Sequence, residues 1–253
     1  MAKKKDDFLI GKECYACSRP AVSKEHAPPK GFYPPRKEVF QAPKGKDYRR
    51  NLISVPSCIE HNSDKASDDN FVQAAIAVFA AAYGDGLESA ATHPFIRKLI
   101  RRIQNQPRLR KSLIENATPV RTAAGIVIAL KPEAETIRRI IELTARALYY
   151  HDHGYLRRWP GDCQVHSPHF VMNDLSLPPG AHDIQDTIAR FTHLNRINYE
   201  GFALKGPHPE VFAYQTLEIE ERIVMRMTFY GSFHFLAIST PSGSPVPLGS
   251  GEP

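Results

Sequence analysis

Hydrophobic and polar residues are arranged along the chain in blocks that predict helices in its middle and strands towards its end. The stretch from Ser67 opens with a hydroxyl and two acidic residues and then becomes Ala-rich, which is typical of an N-capped helix. The strongest helical pattern covers 132–154, where apolar residues recur every three to four positions. Further helices are predicted over Thr92–Gln104, Arg108–Asn116 and 182–195.

Strand patterns dominate the last third of the chain. The segment 163–172 has the composition of a strand, and the segment from Asn198 to Ser239 predicts a small antiparallel meander. Residues 125–130 form either a strand or an extended linker. Helices followed by an antiparallel meander predict an α+β fold.

Changes in these patterns divide the chain into four predicted regions. Residues 1–85 form a module with paired cysteines, 86–154 a helical region, and 155–240 a mixed α+β region of open role. Residues 241–253 are rich in Pro, Gly and Ser, which predicts a disordered tail. A length of 253 residues with 42% hydrophobic content is enough to bury a core.

Charge and composition narrow the class of partner. The formal net charge is +6, with basic clusters such as "RKLIRR" and "RLRK", which favours a polyanionic partner, above all nucleic acid. No stretch is long and apolar enough to cross a bilayer, and the start lacks the features of a secretory signal. A cytoplasmic protein without a membrane partner is therefore expected.

Two pairs of metal-binding residue types share one spacing. Two residues separate Cys14 from Cys17, and two separate Cys58 from His61. Because each tight turn aims two ligands at one ion, two such pairs predict a tetrahedral structural Zn²⁺ site. The alternative is a cysteine pair in the core, with Cys58 and His61 unrelated to it. Cys163 is predicted to be a buried apolar residue.

The segment between the pairs carries a further pattern. Glu25 and His26 are adjacent in "SKEHAPPKGF", and "NLISVPSCIEHN" begins with Asn51 and ends with Asn62. This region, about residues 12–75, resembles the HNH endonuclease family of ββα-metal nucleases. That family has an Asp-His pair, an Asn-Leu segment and a final His or Asn after the second cysteine pair. Here Glu25 replaces the commoner Asp, and His61 replaces a cysteine of the second pair.

The resemblance implies that residues 1–85 are an HNH module stapled by zinc, which hydrolyses phosphodiester bonds of nucleic acid, with DNA as the expected substrate. His26 would be the general base that takes a proton from water. Glu25 and Asn62 would hold a catalytic Mg²⁺ or Mn²⁺ ion, which acts as a Lewis acid. Asn51 would hold the loop that presents His26.

Other interpretations remain open. The chain is alternatively a zinc-knuckle module that binds nucleic acid without catalysis, or a ligand-regulated nuclease of antiviral defence. The C-terminal half is open to homo-oligomer formation or a regulatory partner, and no catalytic residue is expected there. Four cations near the motif are candidates for phosphate contacts or for ordinary solvated surface: Lys30, Arg49, Arg50 and Lys65.

Overall fold

The computed structural model has a mixed α+β fold, as the sequence predicts. It describes residues 7–35, 47–83, 94–115, 117–122, 125–130, 134–167, 199, 201–219, 222–231 and 233–240. The helices are α1 (Ile59–Asn62), α2 (Ala66–Tyr83), α3 (Pro94–Gln104), α4 (Pro107–Glu115) and α5 (Ala134–Asp152). Short 3₁₀ turns cover Asp7–Leu9, Lys30–Phe32 and Ser63–Lys65.

Nine strands form three antiparallel sheets in the described part of the chain. The strands are β1 (Ser23–His26), β2 (Ser54–Ser57), β3 (Ala117–Thr122), β4 (Gly125–Leu130), β5 (Asp162–His166), β6 (Lys205–His208), β7 (Phe212–Ile219), β8 (Arg222–Phe229) and β9 (Phe233–Thr240). β1 pairs with β2, β3 pairs with β4, and the other five form one sheet. The segment 125–130 is thus a strand rather than a linker.

The five-stranded sheet contains the predicted meander, extended by one strand. Its order is β5-β9-β8-β7-β6, so that β6 to β9 follow one another and β5 adds to the open edge of β9. Large side chains fill its buried positions, among them Phe212, Phe229 and Phe235. The β6–β7 register shifts next to Gly206. Glycine is required there because φ is 131° and because an added Cβ would lie only 2.5 Å from the Phe212 carbonyl oxygen.

Two helices occupy the centre of the molecule. Helix α2 is apolar over most of its length and buries Val72, Ala75 and Ile76, as expected of a helix covered on several sides. Helix α5 packs against α2, β2, β5 and β9. It therefore joins the paired strands β1–β2 to the five-stranded sheet.

One continuous core runs through three of the four predicted regions, namely 1–85, 86–154 and 155–240. It includes Cys14 and Val55 near the chain start, α2 and α5, and residues of the sheet as far as Ala237. Hydrogen bonds also cross it, for instance from the Tyr230 hydroxyl to the Phe32 carbonyl at 3.0 Å. The N-terminal module is therefore packed against the C-terminal half, while the proposed region boundaries stay predictions.

Some predictions fall on residues that the structure does not describe. The predicted helix 182–195, the predicted tail 241–253 and residues 1–6 lie outside the described residues, as does the second half of the strand predicted over 163–172. Among the described helices, none has the length and apolar character needed to span a membrane.

Candidate functional site

The four residues predicted to bind zinc converge on one point. Cys14 and Cys17 lie in the turn before β1, whereas Cys58 directly follows β2 and His61 lies in α1. Pairing of Ser23 with Ser57 brings the start of β1 beside the end of β2, and so brings the two turns together. The ligand atoms all lie within 4.8 Å of one another.

The distances suit a tetrahedral ion. His61 Nδ1 lies 3.5 Å from Cys14 Sγ, 3.7 Å from Cys17 Sγ and 3.2 Å from Cys58 Sγ, and the Sγ atoms of Cys17 and Cys58 are 3.9 Å apart. Ligands of a tetrahedral Zn²⁺ with bonds of about 2.0–2.3 Å lie roughly 3.5–3.8 Å from each other. The group can therefore hold a metal, and its three sulfurs and one imidazole are a donor set typical of structural zinc.

The electrostatics of the thiols also suit a cation. Burial acts to raise the pKa of Cys14, but hydrogen bonds from His61 and from backbone amides outweigh it and lower the pKa to about 6. Burial and the proximity of Cys14 raise the pKa of Cys58. The Cys14 thiol therefore ionises readily, whereas ionisation of Cys58 beside it is opposed. A bound divalent cation would favour ionisation of both, because thiolate is the metal-binding form.

Residues from two distant parts of the sequence hold the turn that carries Cys14. The Cys14 amide donates to the Arg19 carbonyl at 2.8 Å, and Arg158 Nε donates to the Cys14 carbonyl at 3.2 Å. Arg158 also forms an ion pair with Glu13. The segment after α5 therefore helps to fix the geometry of the cysteine–histidine group.

His26 is the last residue of β1 and is half-buried. The Ser54 hydroxyl, which lies opposite it in the β1–β2 register, contacts His26 Nδ1 at 3.0 Å and so orients the ring. Burial lowers the pKa of His26, the hydrogen bond with the Ile53 backbone acts in the opposite direction, and Lys30 and Lys24 lower it further. The imidazole is therefore neutral at pH 7, which is the form that can accept a proton.

Glu25 has a partner that the sequence did not reveal. Its carboxylate accepts a hydrogen bond from Lys65 Nζ at 2.9 Å, and the same ammonium donates to Asp69 at 3.1 Å. Glu25 is 6% exposed and Lys65 is 2% exposed. Burial raises the pKa of Glu25 to about 7, although the attraction of Lys65 opposes this. The buried cation beside Glu25 is thus a lysine, and Lys65 is not available as a phosphate contact.

The two asparagines lie apart from this pair. The Asn62 amide nitrogen donates to Ser23 Oγ at 2.7 Å and to the Lys24 carbonyl at 3.1 Å, which fastens α1 to β1. Asn51 is exposed and adopts a φ of 56°, a conformation that asparagine tolerates better than most residues. No hydrogen bond joins its side chain to the described residues of the loop that follows His26.

The Glu25 carboxylate is paired with Lys65, and the amide nitrogen of Asn62 holds β1. In the described part of the chain, the group of side chains that could hold a metal does not include Glu25. The catalytic Mg²⁺ or Mn²⁺ ion that the resemblance implies therefore finds no support here, and its assignment to Glu25 and Asn62 stays a prediction.

An open cleft of about 520 Å³ lies beside the β1–β2 pair. Its lining includes Lys24, Ser54, Tyr155 and Lys205. The Tyr155 hydroxyl donates to the carbonyl of Ser54, the residue that orients His26, at 3.3 Å. Asn51, His151, Asp152 and Tyr214 also line the cleft.

The acid in this cleft is bound within the protein. Asp152 accepts hydrogen bonds from Lys205 Nζ at 2.7 Å and from the Tyr214 hydroxyl at 2.8 Å. His151 Nδ1 lies 3.5 Å from Asp152. Burial acts to raise the pKa of Asp152, but these three contacts outweigh it and lower the pKa. The group ties α5 to β6 and β7.

Sequence reasoning missed Ser54 and Asp69 as members of this site, and it interpreted Lys65 as a phosphate contact or a surface cation rather than as the partner of Glu25. The i, i+4 spacing of Lys65 and Asp69 indicates an ion pair on a helix, but their approach to Glu25 depends on how α2 packs against β1.

Comparisons of the chain with models of known protein families, with curated proteins and with solved structures found no match.

Proposed function

We propose that the chain is a nuclease that hydrolyses phosphodiester bonds of nucleic acid, with DNA as the expected substrate and with a structural zinc in its N-terminal module. The observation that carries the proposal is the placement of His26. The His26 imidazole is half-buried, burial lowers its pKa, and it is oriented by Ser54, which lines an open cleft. The four potential zinc ligands lie in the turns that adjoin the strands carrying His26 and Ser54. The order of these features along the chain matches the HNH family.

His26 is the proton acceptor in this reaction. Water attacks the phosphorus, the bond to the leaving oxygen breaks, and the imidazole takes the proton that the water loses. Lys24 is exposed in the lining of the cleft and is placed to contact phosphate oxygens, whereas the ammonium of Lys205, which also lines the cleft, is paired with Asp152. Lys30 and Arg50 are exposed near the same strands and are further candidates.

The zinc has a structural part in this proposal. Cys14, Cys17, Cys58 and His61 would fill all four positions of a tetrahedral ion, which leaves none for water or substrate. The ion would hold the turn before β1 against the start of α1, and so fix the position of β1 and its last residue.

Cleavage of a supercoiled plasmid by the purified chain tests the proposal. Wild type is expected to nick or cut the DNA, and His26→Ala is expected to lose this activity. His153→Ala is the matched control. Its ring contacts the Tyr149 carbonyl and the Glu218 carboxylate, and it does not contact Ser54 or line the cleft. Reactions with Mg²⁺, with Mn²⁺ and with chelator show whether a divalent ion takes part. Equal cutting by wild type and His26→Ala would overturn the assignment.

One observation favours a second function, that of a zinc-knuckle module that binds nucleic acid without cutting it. Glu25 is buried and paired with Lys65, so the acid that the family uses for its catalytic metal is occupied. Binding of DNA without cleavage under any of the metal conditions would favour this second function over the first.

A further inference from the structure

Helices α3 and α4 form a second surface, away from the cysteine–histidine group, that the proposed reaction does not use. On α3 the residues Ile96, Leu99 and Ile103 are buried, and the helix packs against α2. Their i, i+3, i+7 spacing places them on one side of the helix. Arg97, Arg101 and Arg102 lie on other sides of the helix and are exposed.

Four arginines flank the corner where α3 meets α4. Arg101 and Arg102 lie in the last turn of α3, Arg108 and Arg110 lie near the start of α4, and all four are exposed. We call them the arginine corner. None of the four forms an ion pair with an acidic residue in the part of the chain that the structure describes.

The arginines of α5 provide an internal contrast. Arg138 is paired with Glu135 and Glu142, and Arg146 with Glu142. The half-buried Arg138 and Arg146 thus have acidic partners on their own helix, whereas the exposed arginines of the arginine corner have none among the described residues.

The two helix ends at the corner carry partial charges of opposite sign. Cations in the last turn of a helix, such as Arg101, are favoured by its dipole, but Arg108 and Arg110 lie close to the positive N-terminus of α4. The first turn of α4 contains no acidic residue to offset them. Two exposed arginines therefore lie on each side of the corner, and a bound polyanion would offset the repulsion between those of α4 and the N-terminus of their helix.

We propose that the arginine corner binds the phosphate backbone of a nucleic-acid duplex and holds it on the protein during cleavage. This inference rests on the proposed nuclease function and adds a second contact to the same substrate. Guanidinium groups bind phosphate oxygens in a bidentate manner, and each contact releases counterions from the duplex. An anionic membrane fits less well, because the apolar side of α3 is buried against α2 and cannot enter a bilayer.

Binding of a fluorescein-labelled DNA duplex, measured by anisotropy over a range of salt concentrations, tests the inference. The double variant Arg108→Gln/Arg110→Gln is compared with Arg157→Gln/Arg222→Gln, which removes the same charge from exposed positions elsewhere. Each lost phosphate contact lowers the slope of log K against log salt by about 0.9. The first variant should therefore lose about 2 from the slope, and the control should lose much less. Charge-retaining Arg108→Lys/Arg110→Lys should keep most of it.

The outcomes separate this inference from the nuclease proposal. A normal slope in the fourfold variant that also carries Arg101→Gln and Arg102→Gln, with unchanged thermal unfolding, overturns the corner as a DNA contact. So does an equal loss in the control variant. Loss of binding to phosphatidylserine vesicles, with DNA binding intact, assigns the corner to membranes instead and also overturns the inference. A reduced slope in a protein that never cuts DNA supports the corner and rejects the nuclease.

Discussion

The two faces of strand β1 have different surroundings, although Glu25 and His26 are adjacent in the sequence. Glu25 faces α2, where it is buried with Lys65 and Asp69, whereas His26 faces Ser54 beside the open cleft. Side chains of neighbouring strand residues point to opposite faces. The inner side therefore holds the fold together, and the other side has an imidazole whose lowered pKa suits the proposed reaction. Residue type alone did not distinguish these two parts.

The largest loss of stability is expected from replacing one of the four potential metal ligands. Cys58→Ser leaves three ligands for the proposed zinc. Structural zinc contributes about 10–16 kcal/mol of apparent binding free energy in small zinc domains. We expect the variant to lose stoichiometric zinc and to unfold in its N-terminal module. Metal analysis and thermal unfolding measure this. Cys163→Ser is the matched control, since Cys163 lies outside the group. Wild type without stoichiometric zinc would reject the metal assignment.

A change on the inner side should affect stability. Lys65→Met removes the ammonium and leaves the buried Glu25 carboxylate and the half-buried Asp69 carboxylate without their cation. Breaking a buried ion pair on one side costs about 3–5 kcal/mol. Denaturant unfolding measures the loss. The double variant Lys65→Met/Glu25→Gln should recover part of it, because only one of the charges is then left. A Lys65→Met protein as stable as wild type would mean that the pair does not hold α2 to β1.

A change on the cleft side should affect turnover without affecting stability. His26→Ala is expected to lower the cleavage rate by roughly 10²–10⁴-fold, as is typical for a lost general base. In wild type, the rate should rise as His26 loses its proton, with a midpoint below 6.5 because burial lowers its pKa. A pH–rate profile checks this. A midpoint clearly above 6.5, or unfolding of His26→Ala as early as that of Lys65→Met, contradicts the contrast between the two sides.

The pH dependence of stability sharpens the comparison further. The unfolded Glu25 carboxyl has a pKa of 4.5, and burial raises it to about 7 in the folded protein. Between these values the folded state keeps a proton that the unfolded state has lost, so stability falls as the pH rises from about 4.5 to about 7. Asp69, whose pKa burial also raises, acts in the same direction.

Glu25→Gln should remove the part of this slope that Glu25 causes. Denaturant unfolding at several pH values in this range measures it as a difference between the variant and wild type, so that proton effects of the cysteine ligands cancel. A variant that keeps the whole slope would show that Glu25 does not titrate in this window.

The smallest effect is expected at Asn62. The resemblance assigns it to a divalent ion, but its amide bonds Ser23 and Lys24 in the structure. Asn62→Ala should therefore cost about 0.5–1.5 kcal/mol per lost hydrogen bond, without changing the dependence of cleavage on Mn²⁺. Unfolding and a Mn²⁺ titration of cleavage measure the two. Rescue of a slow Asn62→Ala variant by excess Mn²⁺ would instead support the metal-ligand role.

Local patterns predicted most of the secondary structure. The helices predicted from Ser67, over Thr92–Gln104 and over 132–154 correspond to α2, α3 and α5, with ends that differ by a few residues. The meander was likewise predicted, since period-two alternation and turn residues act over short distances. The cysteine–histidine group was predictable because its spacing reports two tight turns that a single ion can join.

The sequence by itself determined which residue types flank each strand and helix, and thereby the α+β class and the four residues that can hold a metal. Only the tertiary structure decided that Lys65 reaches Glu25 and that Ser54 orients His26 beside a cleft completed by Lys205 and Tyr155. These contacts join residues between 28 and more than 100 positions apart, or depend on α2 packing over β1. No local pattern specifies such approaches, because they follow from the burial of a core shared by the whole described chain.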